Sequence, residues 1–151
     1  LDCFSFVYPR TDCSIVGVDM NSVEIIQKSM QGKLPQGVSE GQFLNGINFM
    51  LKNQGYKLIQ IGNSAFLAKP DQTGTIEVHT FSAEKPTQLV QNYVELAKML
   101  KQQGFKKAVS YSSDPGYAKI AKMSGLPVKV TQTVRKEGKE MKPTYQFELE
   151  L

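Results

Sequence analysis

Apolar positions recur along this chain with two different periods, and the places where the period switches mark out the elements. Residues 3 to 8 and 14 to 19 are rich in Phe, Val, Ile and Tyr on either side of a Pro-containing turn, which predicts two short strands. Helical spacing follows. Asn21 and Glu24 stand at capping-box distance and open a short helix across Val23, Ile26 and Met30 that Gly32 can end. Ser39 and Gln42 open a longer helix, in which Phe43, Leu44, Ile47, Met50 and Leu51 form an apolar stripe as far as Gly55.

The period then falls to two. Tyr56 to Ile61 and Ala65 to Lys69 flank Gly62-Asn63-Ser64, which is hairpin-turn chemistry, and a turn over Pro70 to Gly74 leads into Thr75 to Phe81. These three segments predict an antiparallel meander. Pro86 suits a first helical turn, and Leu89, Val90, Tyr93, Val94, Ala97 and Leu100 give the following helix its apolar stripe, closed by Gly104. Lys107 to Tyr111 reads as a buried strand. Ser113-Asp114-Pro115 reads as the cap and first position of a short helix through Met123, ended by Gly125 and Pro127. In the tail, Val128, Val130 and Val134 lead to a polar turn at Glu137-Gly138, and Tyr145, Phe147, Leu149 and Leu151 share one side of a final strand. The pattern predicts a mixed α/β (α+β) fold in one domain over residues 1–151, with residues 1–13 as an N-terminal strand extension.

Composition narrows the function classes. With 151 residues, 40% hydrophobic and 21% charged, the chain can bury roughly 70% of its unfolded surface and needs no metal or disulfide staple to fold. A net charge of +4 favours mild attraction to phosphate-bearing partners, without the dense basic stripe that signals a specific nucleic-acid binder. Apolar runs such as Ile15 to Val18 fall far short of the roughly 20 residues that span a bilayer, and no signal-peptide core follows the N-terminus. The protein is therefore expected neither to cross a membrane nor to be secreted by its own signal. Because the chain starts at Leu1 rather than Met, one or more residues are expected to precede it.

Candidate chemistry is sparse. Cys3 and Cys13 fit neither a redox CxxC nor a zinc set and read as reduced thiols, able to pair only if the chain doubles back at Tyr8-Pro9-Arg10. The single histidine excludes a His-rich metal site, and no metal is expected. No phosphate-binding GxxxxGK[ST] loop, GxSxG elbow or HExxH helix occurs. Phe4, Phe6 and Tyr8 read as packing, since an RNA-stacking sheet would need a basic face beside them; Lys106-Lys107 and Arg135-Lys136 read as solvated surface. One run stands apart. On Ile76 to Phe81, alternation puts Glu77, His79 and Phe81 on one face, so two titratable groups share it. Its alternatives are a general base and a solvated or ion-paired strand face.

The order of elements, together with Ser112-Ser113-Asp114-Pro115-Gly116-Tyr117-Ala118-Lys119-Ile120-Ala121-Lys122-Met123-Ser124-Gly125-Leu126, resembles the GNAT superfamily of acyl-CoA-dependent N-acyltransferases from about residue 14 to Leu151. The resemblance implies acetyl-CoA as donor, with its pantetheine arm entering between Thr75 to Phe81 and Lys107 to Tyr111. It also implies Glu77 as base toward an acceptor amine, with His79 beside it. Two departures accompany it. The family's glycine-rich pyrophosphate loop is replaced by Ser82-Ala83-Glu84-Lys85-Pro86-Thr87-Gln88-Leu89, which holds no glycine and leaves Lys85, Thr87, Gln88 and the helix dipole as cofactor contacts. The position of the family's acidic Tyr is Ala121, and that of its capping Asn is Asp114, a further candidate cofactor contact; Tyr117, one turn earlier, is either core or a substitute acid.

The compact layout further resembles the acetyltransferase-like proteins of tailed, podovirus-type bacteriophages. On that resemblance the leading expectation is a phage-encoded protein with degenerate acetyl-CoA elements and a structural or binding role. Its partners would be other virion proteins or a host protein, and it would reside in the virion or the host cytoplasm. The alternative is an active N-acyltransferase using acetyl-CoA, with Glu77 as base and Tyr117 as acid.

Overall fold

The computed structural model describes residues 21–137 and 139–151. The expected strands at 3 to 8 and 14 to 19, both cysteines and the N-terminal extension lie outside the described residues. The described elements, in chain order, are α1 (Ser22–Ser29), α2 (Glu40–Asn53), β1 (Lys57–Ile61), β2 (Ser64–Pro70), β3 (Thr75–Ser82), α3 (Pro86–Gln102), β4 (Lys107–Ser112), α4 (Gly116–Met123), β5 (Val128–Glu137) and β6 (Glu140–Glu150).

Local chemistry sets the boundaries. Asn21 accepts a hydrogen bond from the Glu24 amide and starts α1, and Ser39 with Gln42 closes a full capping box at α2. Gly62 and Gly104 take φ of +57° and +92°, values that side-chain-bearing residues rarely adopt, and so turn the β1–β2 hairpin and end α3. The start of α4 differs from expectation. Asp114 Oδ1 accepts from the Gly116 amide at 2.8 Å, but the first turn is tight, with Tyr117 and Ala118 amides bonded three residues back to the Asp114 and Pro115 carbonyls, so the helix begins at Gly116.

The strands form one six-stranded sheet in the order β1-β2-β3-β4-β6-β5, antiparallel throughout except for β3 beside β4. α1 and α2 cover one face, where Ile25, Ile26 and Ile47 pack on Leu58, Ala65 and Leu67. α3 covers the other, where Leu89, Leu96, Met99 and Leu100 pack on Ile59, Phe66, Ala68, Ile76 and Val78, with Tyr117 and Ile120 of α4 beside them. Period-two alternation in β2 and β3 feeds both cores at once, which fixes their register. Strand β4 is expected to be buried; it is half-buried along its whole length, and its second half, Ser110 to Ser112, has no partner on its β3 side. Among the described residues no helix is long and apolar enough to cross a membrane.

Candidate functional site

The parallel pair β3 and β4 meets only at Thr75↔Lys107, Ile76↔Ala108 and Glu77↔Val109. Beyond Glu77, β3 stays paired to β2 as far as Ser64↔Ser82, and β4 stays paired to β6 as far as Ser112↔Tyr145. Each strand follows its outer neighbour, and the sheet opens into a fork whose apex is the Glu77↔Val109 pair. Beyond that pair no ladder bond joins the facing edges of β3 and β4. Near the open end, the Ser82 amide donates to Ser29 Oγ of α1 at 3.2 Å.

On the α3 side the fork leads into a cavity of about 350 Å³. Val78, Leu96, Leu100, Ile120 and Phe147 make its walls apolar, while Thr80, Ser110, Asp114, Tyr93, Tyr117 and Lys33 add polar atoms. Ala121, which the resemblance sets at the position of the family's acidic Tyr, also lines it. Tyr117 lines it one turn earlier. Burial, helped by the charge of Asp114, raises the Tyr117 pKa, so its hydroxyl keeps its proton at neutral pH. A second phenol, Tyr93, is bonded to Thr80 Oγ1 at 2.6 Å, and burial raises its pKa far above the ordinary range. Tyr93 and Lys33 were missed in the sequence. Tyr93 is indistinguishable there from the apolar stripe of α3, and Lys33 carries no local signal at all.

Glu77 and His79 project from the opposite face of β3. Their side chains are 31% exposed each and joined by a 2.7 Å contact between His79 Nε2 and Glu77 Oε2. The hydrogen bond from His79 is the largest cause that holds the Glu77 carboxyl below its usual range, with the charges of His79, Arg135 and Lys69 acting in the same sense against burial. Around the pair stand two cation–aromatic stacks. Lys69 Nζ lies 5.3 Å from the centre of the Tyr56 ring, and Arg135 Cζ 4.0 Å from that of Tyr111. Tyr56 in turn lies 6.2 Å, ring to ring, from His79. The dyad was legible from strand alternation. The stacks were not, because Arg135 sits on β5 and reaches Tyr111 of β4 only once β6 lies between them.

The remaining predicted contacts are at the start of α3. Lys85 and Thr87 are exposed, Lys85 makes no side-chain cap bond, and Pro86 at the first helical position has no N–H to offer. Gln88, exposed as well, donates to Asn92 Oδ1 at 3.1 Å. Asn92 is 4% exposed and donates from Nδ2 to Ser64 Oγ at 2.9 Å and to Glu84 Oε2 at 3.0 Å. Ser64 bonds Ser82, and Ser82 Oγ accepts from the Glu84 amide, so the loop is laced shut by side chains. Glu84 lies against Gly62, where an added Cβ would come within 3.0 Å of its carboxylate. The structure thus gathers Tyr117 and Asp114 at the cavity and Glu77 with His79 at the apex, and leaves Lys85, Thr87 and Gln88 outside the cavity lining.

No family model and no curated protein matches the chain. Solved structures do. A probable GNAT-family acetyltransferase from Chromobacterium violaceum aligns with TM-score 0.61 at 14% identity, over 84% of this chain and 76% of that one. A GNAT-superfamily phosphinothricin acetyltransferase from Sinorhizobium meliloti, in complex with acetyl-CoA, aligns with TM-score 0.57 at 11% identity, over 85% and 83%. A Bacillus subtilis acetyltransferase in complex with CoA aligns with TM-score 0.55 at 10% identity, over 89% and 95%. The likeness reaches the fold, and the expected phage relationship and virion role are no part of it. By the forked sheet, the helix layers and these neighbours, the chain has the fold of the GNAT acetyltransferases.

Proposed function

We propose that this chain is an acetyl-CoA-dependent N-acyltransferase whose donor enters the fork between β3 and β4. The observation that carries this reading is that the fork is open: beyond Glu77↔Val109 the strands part around an apolar cavity instead of closing on packed side chains. A pantetheine arm is a thin chain with two amides, and unpaired strand edges with apolar walls are complementary to it. The fit is poorer at the pyrophosphate end, where Glu84 places a carboxylate beside the start of α3 and only the helix dipole, Lys85 and Thr87 offer compensation.

The acceptor amine would attack the thioester carbonyl at the apex of the fork. A C–N bond forms, the C–S bond breaks, the amine proton passes to the Glu77–His79 pair, and the departing thiolate takes a proton from Tyr117. His79 is held through Nε2, which leaves Nδ1 to accept the proton while the Glu77 carboxylate orients the ring. Tyr117 suits the acid role because it is protonated at neutral pH and faces the cavity.

Calorimetric titration with acetyl-CoA and CoA tests the reading. Micromolar affinity, about −8 kcal/mol, is expected; absence of heat at high micromolar ligand overturns it. That second outcome fits a scaffold with a binding or structural role toward other proteins, such as the virion role drawn from the phage resemblance. The laced Ser82–Asn92 loop and Ala121 are the observations in its favour.

A further inference from the structure

The acceptor side of the fork carries its own chemical selection. Resting on the acyltransferase reading, we propose that the acceptor is a small amine that also bears a carboxylate, of amino-acid type, and that Arg135 and Lys69 bind its anionic end. Cross-strand register sets Lys69 directly opposite Glu77. Arg135 reaches the same sheet face from β5, and both cations act on the Glu77 charge. Neither forms an ion pair with an acidic side chain within 4.0 Å among the described residues, where the ion pairs are His79–Glu77 and Lys107 with Glu148 and Glu150. Their charges are held in place by aromatic faces instead. Arg135 lies over Tyr111 at 4.0 Å and Lys69 over Tyr56 at 5.3 Å.

A guanidinium stacked on a ring keeps its N–H edges free for planar, two-point contact with a carboxylate, and stacking limits the side-chain entropy that such contact costs. Anchored cations on the face of the Glu77–His79 pair match a substrate that is cationic or neutral at its amine and anionic at its other end. The Glu77–His79 pair receives the amine, and the stacked cations receive the anion. The same two charges oppose a second positive centre on the acceptor, so polyamines and aminoglycoside-like polycations are disfavoured.

The test is a thiol-release assay with acetyl-CoA over three acceptor sets: free α-amino acids, the same amino acids as carboxamides, and linear polyamines. Free acids are expected to exceed their carboxamides by about ten-fold or more in kcat/KM, with polyamines below both. Arg135→Gln and Lys69→Gln should each pull the acid-to-amide ratio toward one, and Arg135→Lys should restore it only partly, because the two-point contact is lost. The ratio is read within each variant, so partial unfolding does not imitate the effect. Equal rates for acid and amide, preference for polyamines, or an unchanged ratio in Arg135→Gln overturns the proposal. If acetyl-CoA binds but no member of the three sets is turned over, the acceptor class is wrong and the cofactor reading stands. If acetyl-CoA does not bind, the acyltransferase reading itself falls.

Discussion

Glu77 and His79 act as one unit because strand geometry leaves them little choice. Side chains two apart on a strand point the same way, and a 2.7 Å contact on a half-buried face is strong enough to move a carboxyl pKa. The sign can be worked out. The folded-state pKa is depressed below the ordinary 4.5, so the pair contributes stability that is present above that value and lost as pH falls through the folded pKa. In His79→Ala the Glu77 carboxyl should titrate at higher pH than in the wild type, and the acid limb of the stability curve should be shallower. Carbon-detected NMR titration of the Glu side chains checks the first point; an unmoved Glu77 would mean that burial and the lysine and arginine charges dominate instead. Glu77→Gln should cut kcat by about 100-fold or more with acetyl-CoA affinity nearly intact, the separation expected of a group that orients the proton-accepting imidazole without holding the donor. At the other end of the reaction, Tyr117→Phe should lower kcat by about ten-fold or more, and Ala121→Tyr in that background should recover part of it, since both positions line the cavity. Failure of both exchanges to alter turnover would remove the phenol from the mechanism.

At the scale of elements, helix caps and hairpin turns were legible because they are chemistry over three or four residues. Ser39 with Gln42 forms the capping box that its spacing predicts, while of the Asn21–Glu24 box the Asn21 half caps α1; Ser39→Ala should cost about 1 kcal/mol in chemical denaturation. The start of α4 was placed slightly early, because Asp114 bonds the chain at a turn that is tighter than an α-helix. Harder to see was the loop before α3. Its sequence announces the missing glycines, and the fold adds a network centred on Asn92 that joins β2, the loop and α3. Among the described residues no buried side-chain polar atom lacks a partner, so deleting the hub strands several groups at once. Asn92→Ala should destabilise the protein by about 2 kcal/mol or more and raise amide exchange in residues 82 to 85, measured by hydrogen exchange. Exchange confined to the termini would show that the loop is held by its backbone alone.

For the whole molecule the deciding feature is the fork. Ala97 lines the cavity from a half-buried site on α3, so Ala97→Phe should fill part of the space that a pantetheine arm needs. Acetyl-CoA affinity is expected to fall by about ten-fold or more while the thermal midpoint stays within a few degrees, because a ring added to a void displaces no packed neighbour. A large fall in the midpoint with binding intact would show that the cavity closes in solution.

The sequence by itself determined the kinds of elements from α1 to β6 and nearly all of their limits. It also determined the pairing of Glu77 with His79, because all of these rest on periods and caps that act between residues close in the chain. Only the tertiary structure decided that β3 and β4 part after Glu77, since that depends on each strand holding its outer partner, β2 or β6, in preference to the other. The cavity and the convergence of Lys69, Tyr111 and Arg135 on the Glu77 face follow from the same choice. They are contacts between residues far apart in sequence, whose free energy is realised only when the sheet closes, and no local pattern encodes them.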